Sequence, residues 1–282
     1  MTIVVFGARG SVGRQVLDGL QAAGKQVRAA SREPSAEFGP QVETVVADLD
    51  RPETLARALA GATGAFLYAH PAGIDGFVAE AKAAGLRRVA LLSSGAVTRP
   101  GAENNPIARR HRAVEEALER SDLEWTFVRG GLFATNAIGL WSRSIRAEGK
   151  VLLPYPEAQS APVHEADLAA LAVVALAAGG LGGKAYTLAG PESLTLREQV
   201  AAIGAAVGRP IAVEVVPEQV ARATMAEGMP DFAVTAILRN WAAAGDRPAE
   251  TSSLIPQLVG RPARTFAQWA IDHVDDFRDS AA

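Results

Sequence analysis

Apolar residues along this chain follow two alternating rhythms. Short β-branched or aliphatic runs without helical period occur at Thr2 to Phe6, Gln26 to Ala30, Val42 to Ala47, Ala65 to Tyr68, Arg88 to Leu92 and Glu124 to Val128. Such runs are what strands buried on both faces look like. Between them apolar residues recur every three or four positions: Val12, Val16, Leu17 and Leu20, then Pro52 to Leu59, Phe77 to Ala84, and Ile107, His111, Val114 and Leu118. Strand and helix in strict alternation predict an α/β fold with a doubly wound parallel sheet. The first five strands are expected in the order 3-2-1-4-5, with further strands to follow. Beyond Arg129 the pattern predicts a helix over 140–147, a strand over 151–155, an apolar helix over 168–178 and a strand over 184–189. A helix over 194–207, a strand over 211–216 and helices over 217–227 and 231–243 complete it.

The turn between the first strand and first helix carries the earliest chemistry. It reads Gly7-Ala8-Arg9-Gly10-Ser11-Val12-Gly13, a GxxGxxG spacing between a buried strand and an amphipathic helix. Gly7 allows a sharp turn, Gly10 a close approach of backbone to a diphosphate, and Gly13 a tight seat of helix against strand. The first amides of that helix point at the phosphates. Strand, glycine turn and helix in this order predict a Rossmann-type dinucleotide site, the alternative being a bare loop.

The second strand ends at Ser31-Arg32, the position that faces the adenosine ribose in such a fold. An acidic residue there favours NAD(H); arginine pairs with the extra phosphate of NADP(H). Arg9 lies within reach of the same group, so NADP(H) is expected, with NAD(H) second and Glu33 acting against the preference. Asp48-Leu49 follows the third strand, where Asp48 either meets the adenine amino group or caps the next helix with Asp50. Ala69-His70 ends the fourth strand beside the diphosphate and nicotinamide ribose, and Ser93-Ser94 ends the fifth. Ligands of doubly wound sheets lie beyond these carboxyl ends.

Composition narrows the remaining classes. A net charge of -3 over 282 residues offers no general attraction to nucleic acid or anionic membrane. With no cysteine, thiolate catalysis, disulfides and cysteine-held metals are excluded. The four histidines, 70, 111, 164 and 273, sit in separate elements without metal-ligand spacing, and His164 reads as a structural loop residue. The run Arg109-Arg110-His111-Arg112 is too short for a nucleic-acid surface. The stretch 168–181 is too short to span a bilayer, and the first strand begins at once, leaving no room for a signal peptide. A cytoplasmic protein, monomer or homodimer, is expected.

GARGSVG at 7–13, Ser31-Arg32, Asp48-Leu49, LLSS at 91–94, HRAVEEALERSDLEWTFVRGGLFATN at 111–136 and VGRPARTFAQWAIDH at 259–273 together resemble the NmrA-like, atypical branch of the short-chain dehydrogenase/reductases. That branch includes NADPH-dependent quinone reductases and cofactor-sensing regulators. The resemblance implies a nucleotide domain over 1–132 with a return at about 160–190. A smaller, mostly helical C-terminal substrate subdomain is then expected over 133–159 and 191–282. Typical superfamily members use a Tyr-x-x-x-Lys pair; the matching positions here are Ile107 and His111, so the tyrosine mechanism is absent. His111 with Glu115 one turn later resembles the His-x-x-x-Glu version of this branch. His111 and Ser94 are the candidate proton donors, with a packed core histidine as the alternative. Glu115 is expected either on His111 or paired with Arg112 or the neighbours of Glu119 on the helix's wet face. Gly130 replaces the family's usual proline and is expected to loosen the turn where Gly130, Gly131 and Leu132 pass the nicotinamide, with Phe133 and Asn136 walling a pocket. The loop over 98–106 is expected as a mobile cover, and Met225, Met229, Phe232 and Trp241 either line that pocket or pack the subdomain core. Two functions follow: an NADPH-dependent oxidoreductase acting on a quinone-like or conjugated small molecule, or a non-catalytic NADP(H)-sensing regulator working through a protein partner.

Overall fold

A computed structural model describes residues 1–33 and 38–278. The first half alternates as the pattern predicts: β1 (Thr2–Phe6), α1 (Ser11–Ala22), β2 (Gln26–Ser31), β3 (Glu43–Val46), α2 (Leu55–Leu59), β4 (Ala62–Tyr68), α3 (Ile74–Ala83), β5 (Arg88–Ser94), α4 (Pro106–Glu119) and β6 (Glu124–Gly130). Next come α5 (Asn136–Glu148), β7 (Lys150–Leu153), β8 (Gln159–Ser160), α6 (Glu165–Ala177) and β9 (Lys184–Leu188). Then follow β10 (Leu194–Thr195), α7 (Leu196–Val207), β11 (Ala212–Val215), α8 (Glu218–Ala226), α9 (Asp231–Ala244), α10 (Leu254–Val259) and α11 (Phe266–Asp272).

The chain forms two compact units, one of residues 1–131, 165–188 and 254–262, the other of 132–164, 189–253 and 263–282. The last four residues of the second fall outside the described ones. In the first unit seven parallel strands run β3-β2-β1-β4-β5-β6-β9, extending the expected order. Val4, Phe6, Leu67, Phe77, Leu91 and Phe127 are fully enclosed in its core. The order reverses between β1 and β4, which puts the ligand crevice of a doubly wound sheet at their carboxyl ends.

One element departs from the expected division. Residues 254–262 belong to the nucleotide unit, whereas the whole of 191–282 was expected on the substrate side. Electrostatics accounts for it: Asp167, buried in the first turn of α6, forms an ion pair with Arg261 at 2.7 Å. A buried carboxylate needs such a counter-charge. The second unit surrounds two small sheets, parallel β7–β11 and antiparallel β8–β10. Its core holds Trp141, Ile145, Val200, Leu238 and Trp269. Trp241 is buried there, and Met225 and Met229 pack against it, while Phe232 is 73% exposed. His164 is buried within this unit beside Asp272, at 3.3 Å. No helix among the described residues is long and apolar enough to cross a membrane.

Candidate active site

The glycine turn closes on itself. Gly7 has φ 67°, and the Gly10 N–H donates to its carbonyl at 2.9 Å. α1 then starts at Ser11 without a side-chain cap or an acidic residue in its first turn. The amides of Ser11, Val12 and Gly13 precede the first intrahelical bond, donated by Arg14 to Gly10. An anion is the partner such a terminus favours. A Cβ on Gly13 would stand 2.2 Å from the Gly7 carbonyl oxygen. The turn therefore folds back onto the helix it precedes, a closer constraint than the helix-on-strand contact expected. Arg9, Gly10 and Ser11 are exposed, while Ala8 and Val12 are buried and offer a ligand only backbone.

At the end of β2 the Ser31 hydroxyl donates to the Glu33 carbonyl, and Arg32 is exposed. Asp48 accepts from the Asp50 amide at 3.1 Å, and its own amide donates to Thr54 at 2.9 Å. Asp48 thus closes a local turn and caps neither the 3-10 turn at 52–54 nor α2, and Leu49 and Ala69 turn their side chains into the core. His70 follows the end of β4, and its side chain meets Asp50, Nε2 to Oδ1, at 2.6 Å. That contact ties the loop after β4 to the loop after β3.

Tyr68 was missed by the sequence reading. It ends β4 at the reversal of strand order, and its ring covers Gly7: a Cβ there would lie 2.9 Å from Tyr68 Cδ1. Its edge meets the His70 ring, centroids 6.2 Å apart. Burial pushes the phenol above its ordinary range, opposed by the charges of Arg32 and Arg110 and assisted by those of Asp48 and Asp50. The signal in the sequence was an aromatic residue closing a strand at the switch point.

Under α4 lies a buried charge cluster. Glu115 is fully enclosed and accepts from Arg129 at 2.8 and 2.7 Å, from Ser93 at 2.6 Å and from Arg112 at 3.2 Å. Burial alone would raise this carboxyl, but the bonds from Arg129 and Ser93 and the Arg129 charge outweigh it and hold it below its ordinary value. The Ser93 hydroxyl is committed to Glu115, and Glu115 does not bond His111; it meets Arg112 as expected, but from a buried position rather than the wet face. Its role is to join α4 to β5 and β6.

Ser94 keeps a hydroxyl at the carboxyl end of β5, accepting from the Ala96 amide at 3.2 Å. With Thr98 donating to Gly95 at 2.9 Å, it starts a short 3-10 turn over Gly95–Thr98, ahead of the loop expected as a cover. His111 is half-buried, and its Nδ1 is enclosed with no hydrogen-bond partner among the described residues. Burial pushes this imidazole below its ordinary value of about 6.5; Glu115 opposes and Arg110 assists. Ile107, expected on the inward stripe, is 53% exposed, because Asn105 caps the helix and the first turn stands clear of the sheet. Gly130 does not loosen its turn: it pairs with Ser94 on one side and Leu188 on the other, and the Gly131 amide donates to Leu188 at 2.8 Å. In the second unit Phe133 is half-buried, bridged to Val163, and Asn136 opens α5, exposed.

A groove of about 830 Å³ opens at the carboxyl ends of β4 and β5, where Pro71 and Val97 line it, and runs along α4 past Arg109, Arg110 and Ala113. It is not the glycine turn. None of residues 7–13 lines it.

A parallel doubly wound sheet with an uncapped glycine turn at its first helix defines a dinucleotide-binding protein. The chain belongs to the NAD(P)H-binding family, whose model matches residues 7–178, and the resemblance to NmrA-like short-chain dehydrogenase/reductases stands. It is 38% identical to the (4-alkanoyl-5-oxo-2,5-dihydrofuran-3-yl)methyl phosphate reductase of Streptomyces griseus, over 98% of this chain and 99% of that one. It is 32% identical to the NAD(P)H azoreductase of Xenophilus azovorans, again over 98% and 99%. In fold it is similar to an NADPH-dependent quinone oxidoreductase of Escherichia coli, with TM-score 0.77, 24% identity and coverage of 98% and 100%.

Proposed function

We propose that this protein is an NADPH-dependent oxidoreductase that reduces a small quinone-like or otherwise conjugated acceptor, working in the cytoplasm as a monomer or homodimer. The observation that carries the reading is the uncapped glycine turn of a doubly wound sheet, with a half-buried histidine on α4 whose Nδ1 lacks a partner among the described residues. Both full-length relatives are reductases by name, one of an azo compound and one of an alkanoyl dihydrofuranone phosphate.

The residues fit the dinucleotide: Gly7 and Gly10 are exposed and put no side chain over the turn, and the first amides of α1 have no side-chain cap as a rival. The amides of 7–13 would hold the diphosphate, Arg32 with Arg9 the adenosine phosphate, Asp48 the adenine side, and Gly130, Gly131 and Phe133 the nicotinamide side. Bound NADPH supplies the hydride. The chain orients the reactants and offers a proton or hydrogen bond to the oxygen on which charge develops. His111 is the first candidate for that and Ser94 the second. Ile107 has no proton to give, so unactivated ketones are poor acceptors.

NADPH is expected to bind about tenfold more tightly than NADH, the low end for a charge-assisted contact. Arg32→Ala should erase the difference in calorimetric titrations; equal affinities in the parent protein would refute it.

As a proton donor His111 acts in its protonated form. Its pKa is lowered, so the donor fraction falls as pH rises through a value below about 6.5. Stopped-flow hydride transfer at saturating NADPH should therefore be faster at the acid end of the range from about pH 6 to pH 8. His111→Gln should flatten the profile and slow transfer by up to ~10²-fold, leaving NADPH affinity unchanged. An unaltered rate and profile would make the histidine a packing residue.

The decisive experiment follows the absorbance of reduced nicotinamide with a panel of quinones. Tight, saturable NADPH binding without oxidation by any of them would favour the sensor reading.

A further inference from the structure

The cationic run on α4 is not used by the proposed chemistry, and its members differ. Arg112 engages Glu115, Glu116 and Glu119, at 3.2, 3.1 and 2.7 Å. Arg110, two residues earlier, is exposed and has no hydrogen-bond or ion-pair partner among the described residues; the same holds for Arg109. Neither has an acid three or four residues away along the helix, where a same-face partner would stand, so the lack of partners reflects their position on it. Of the acids lining the groove, Glu116 is held by Arg112, and Glu103 accepts from Asn104 at 3.1 Å.

That position is informative. On a helix, residue 110 shares a face with Ile107 and Val114 and neighbours His111. The guanidinium also lines the groove whose apolar surface is given by Pro71, Val97, Ala102 and Pro106. Its charge also bears on both His111, the candidate donor, and Tyr68, the tyrosine over the glycine turn. An unpaired arginine at the rim of an apolar groove, beside a candidate proton donor, is a recognition element for an anion borne by an otherwise apolar molecule.

We propose that Arg110, with Arg109 further along the rim, selects acceptors that carry a phosphate, sulfonate or carboxylate at a distance from the ring that receives the hydride. This rests on the reductase reading for the word acceptor, but the recognition itself is tested by binding. The probes are naphthoquinone and its sulfonate, titrated calorimetrically into protein saturated with oxidised NADP. The parent protein should bind the sulfonate about tenfold more tightly than the neutral quinone, with the difference shrinking as salt is added. Arg110→Ala should abolish the difference and Arg110→Lys retain part of it, both with unchanged affinity for NADPH. Equal sulfonate binding by the parent and Arg110→Ala, or no binding by the parent, would overturn the proposal. A drop in NADPH affinity with the sulfonate preference intact would overturn it too, assigning Arg110 to a phosphate of the dinucleotide. Failure of either quinone to oxidise NADPH would instead count against the reductase reading, leaving the binding comparison to decide on Arg110.

Discussion

Glu115→Ala should lower the stability of the nucleotide-binding unit by about 3–5 kcal/mol, the usual cost of removing one partner from a buried ion pair. Arg129, whose side chain is only 16% exposed, would keep its charge without the carboxylate that takes two of its bonds. Ser93 would lose its acceptor in the same step. Urea unfolding of the parent, Glu115→Ala and Glu115→Gln measures this, the glutamine variant falling between the other two because it still accepts one bond. The pH dependence has a definite sign. The folded carboxyl is held below its ordinary value of about 4.5, so its contribution is complete above that value and is lost as pH falls through the depressed one. The parent should lose stability on acidification more steeply than Glu115→Gln. A loss under about 1 kcal/mol in Glu115→Ala would show that the cluster only breaks even against its desolvation.

The second large effect is expected at Gly13. Its missing Cβ would stand 2.2 Å from the Gly7 carbonyl oxygen and 2.8 Å from the carbonyl carbon, both backbone atoms without rotamers to yield. Gly13→Ala must therefore move the turn, at a cost of about 1–3 kcal/mol for overpacking. The same movement misplaces the amides of 11–13, so NADPH affinity should fall by more than tenfold. Gly228→Ala is the control, since a Cβ there meets nothing within 4 Å and the backbone lacks the left-handed φ that would strain it. Thermal unfolding and NADPH titration of both variants separate the two consequences. A Gly13→Ala protein with parental melting and parental affinity would mean that the turn is softer than its contacts imply.

The strands and the glycine turn were readable in advance because both are local. A run such as Ile3 to Phe6 is buried on both faces whichever neighbours it finds, and seven residues suffice to specify a turn. The charge cluster was not local. Ser93 and Arg129 lie opposite each other across the β5–β6 ladder, and Glu115 comes to them from α4, so three elements must be placed before the cluster exists. The available hint was a serine and an arginine at the ends of otherwise apolar strands. Ile107 failed for another reason: helical period assigns a face but cannot say where a helix first meets its sheet. His70 was placed from strand-end position, from which its contact with Asp50 across the loops could not be read.

The segment bearing Arg261 bears on synthesis at the ribosome. β9, the edge strand beside β6, emerges only after residues 132–164 have been made, and Arg261 follows later still. The Glu115 cluster can assemble as soon as β6 has left the exit tunnel, whereas the Asp167–Arg261 pair is among the last contacts formed. A chain stopped short of residue 254 would have every strand of the sheet but not this clasp on α6. Completion of the sheet and closure of this clasp are then separate events during synthesis.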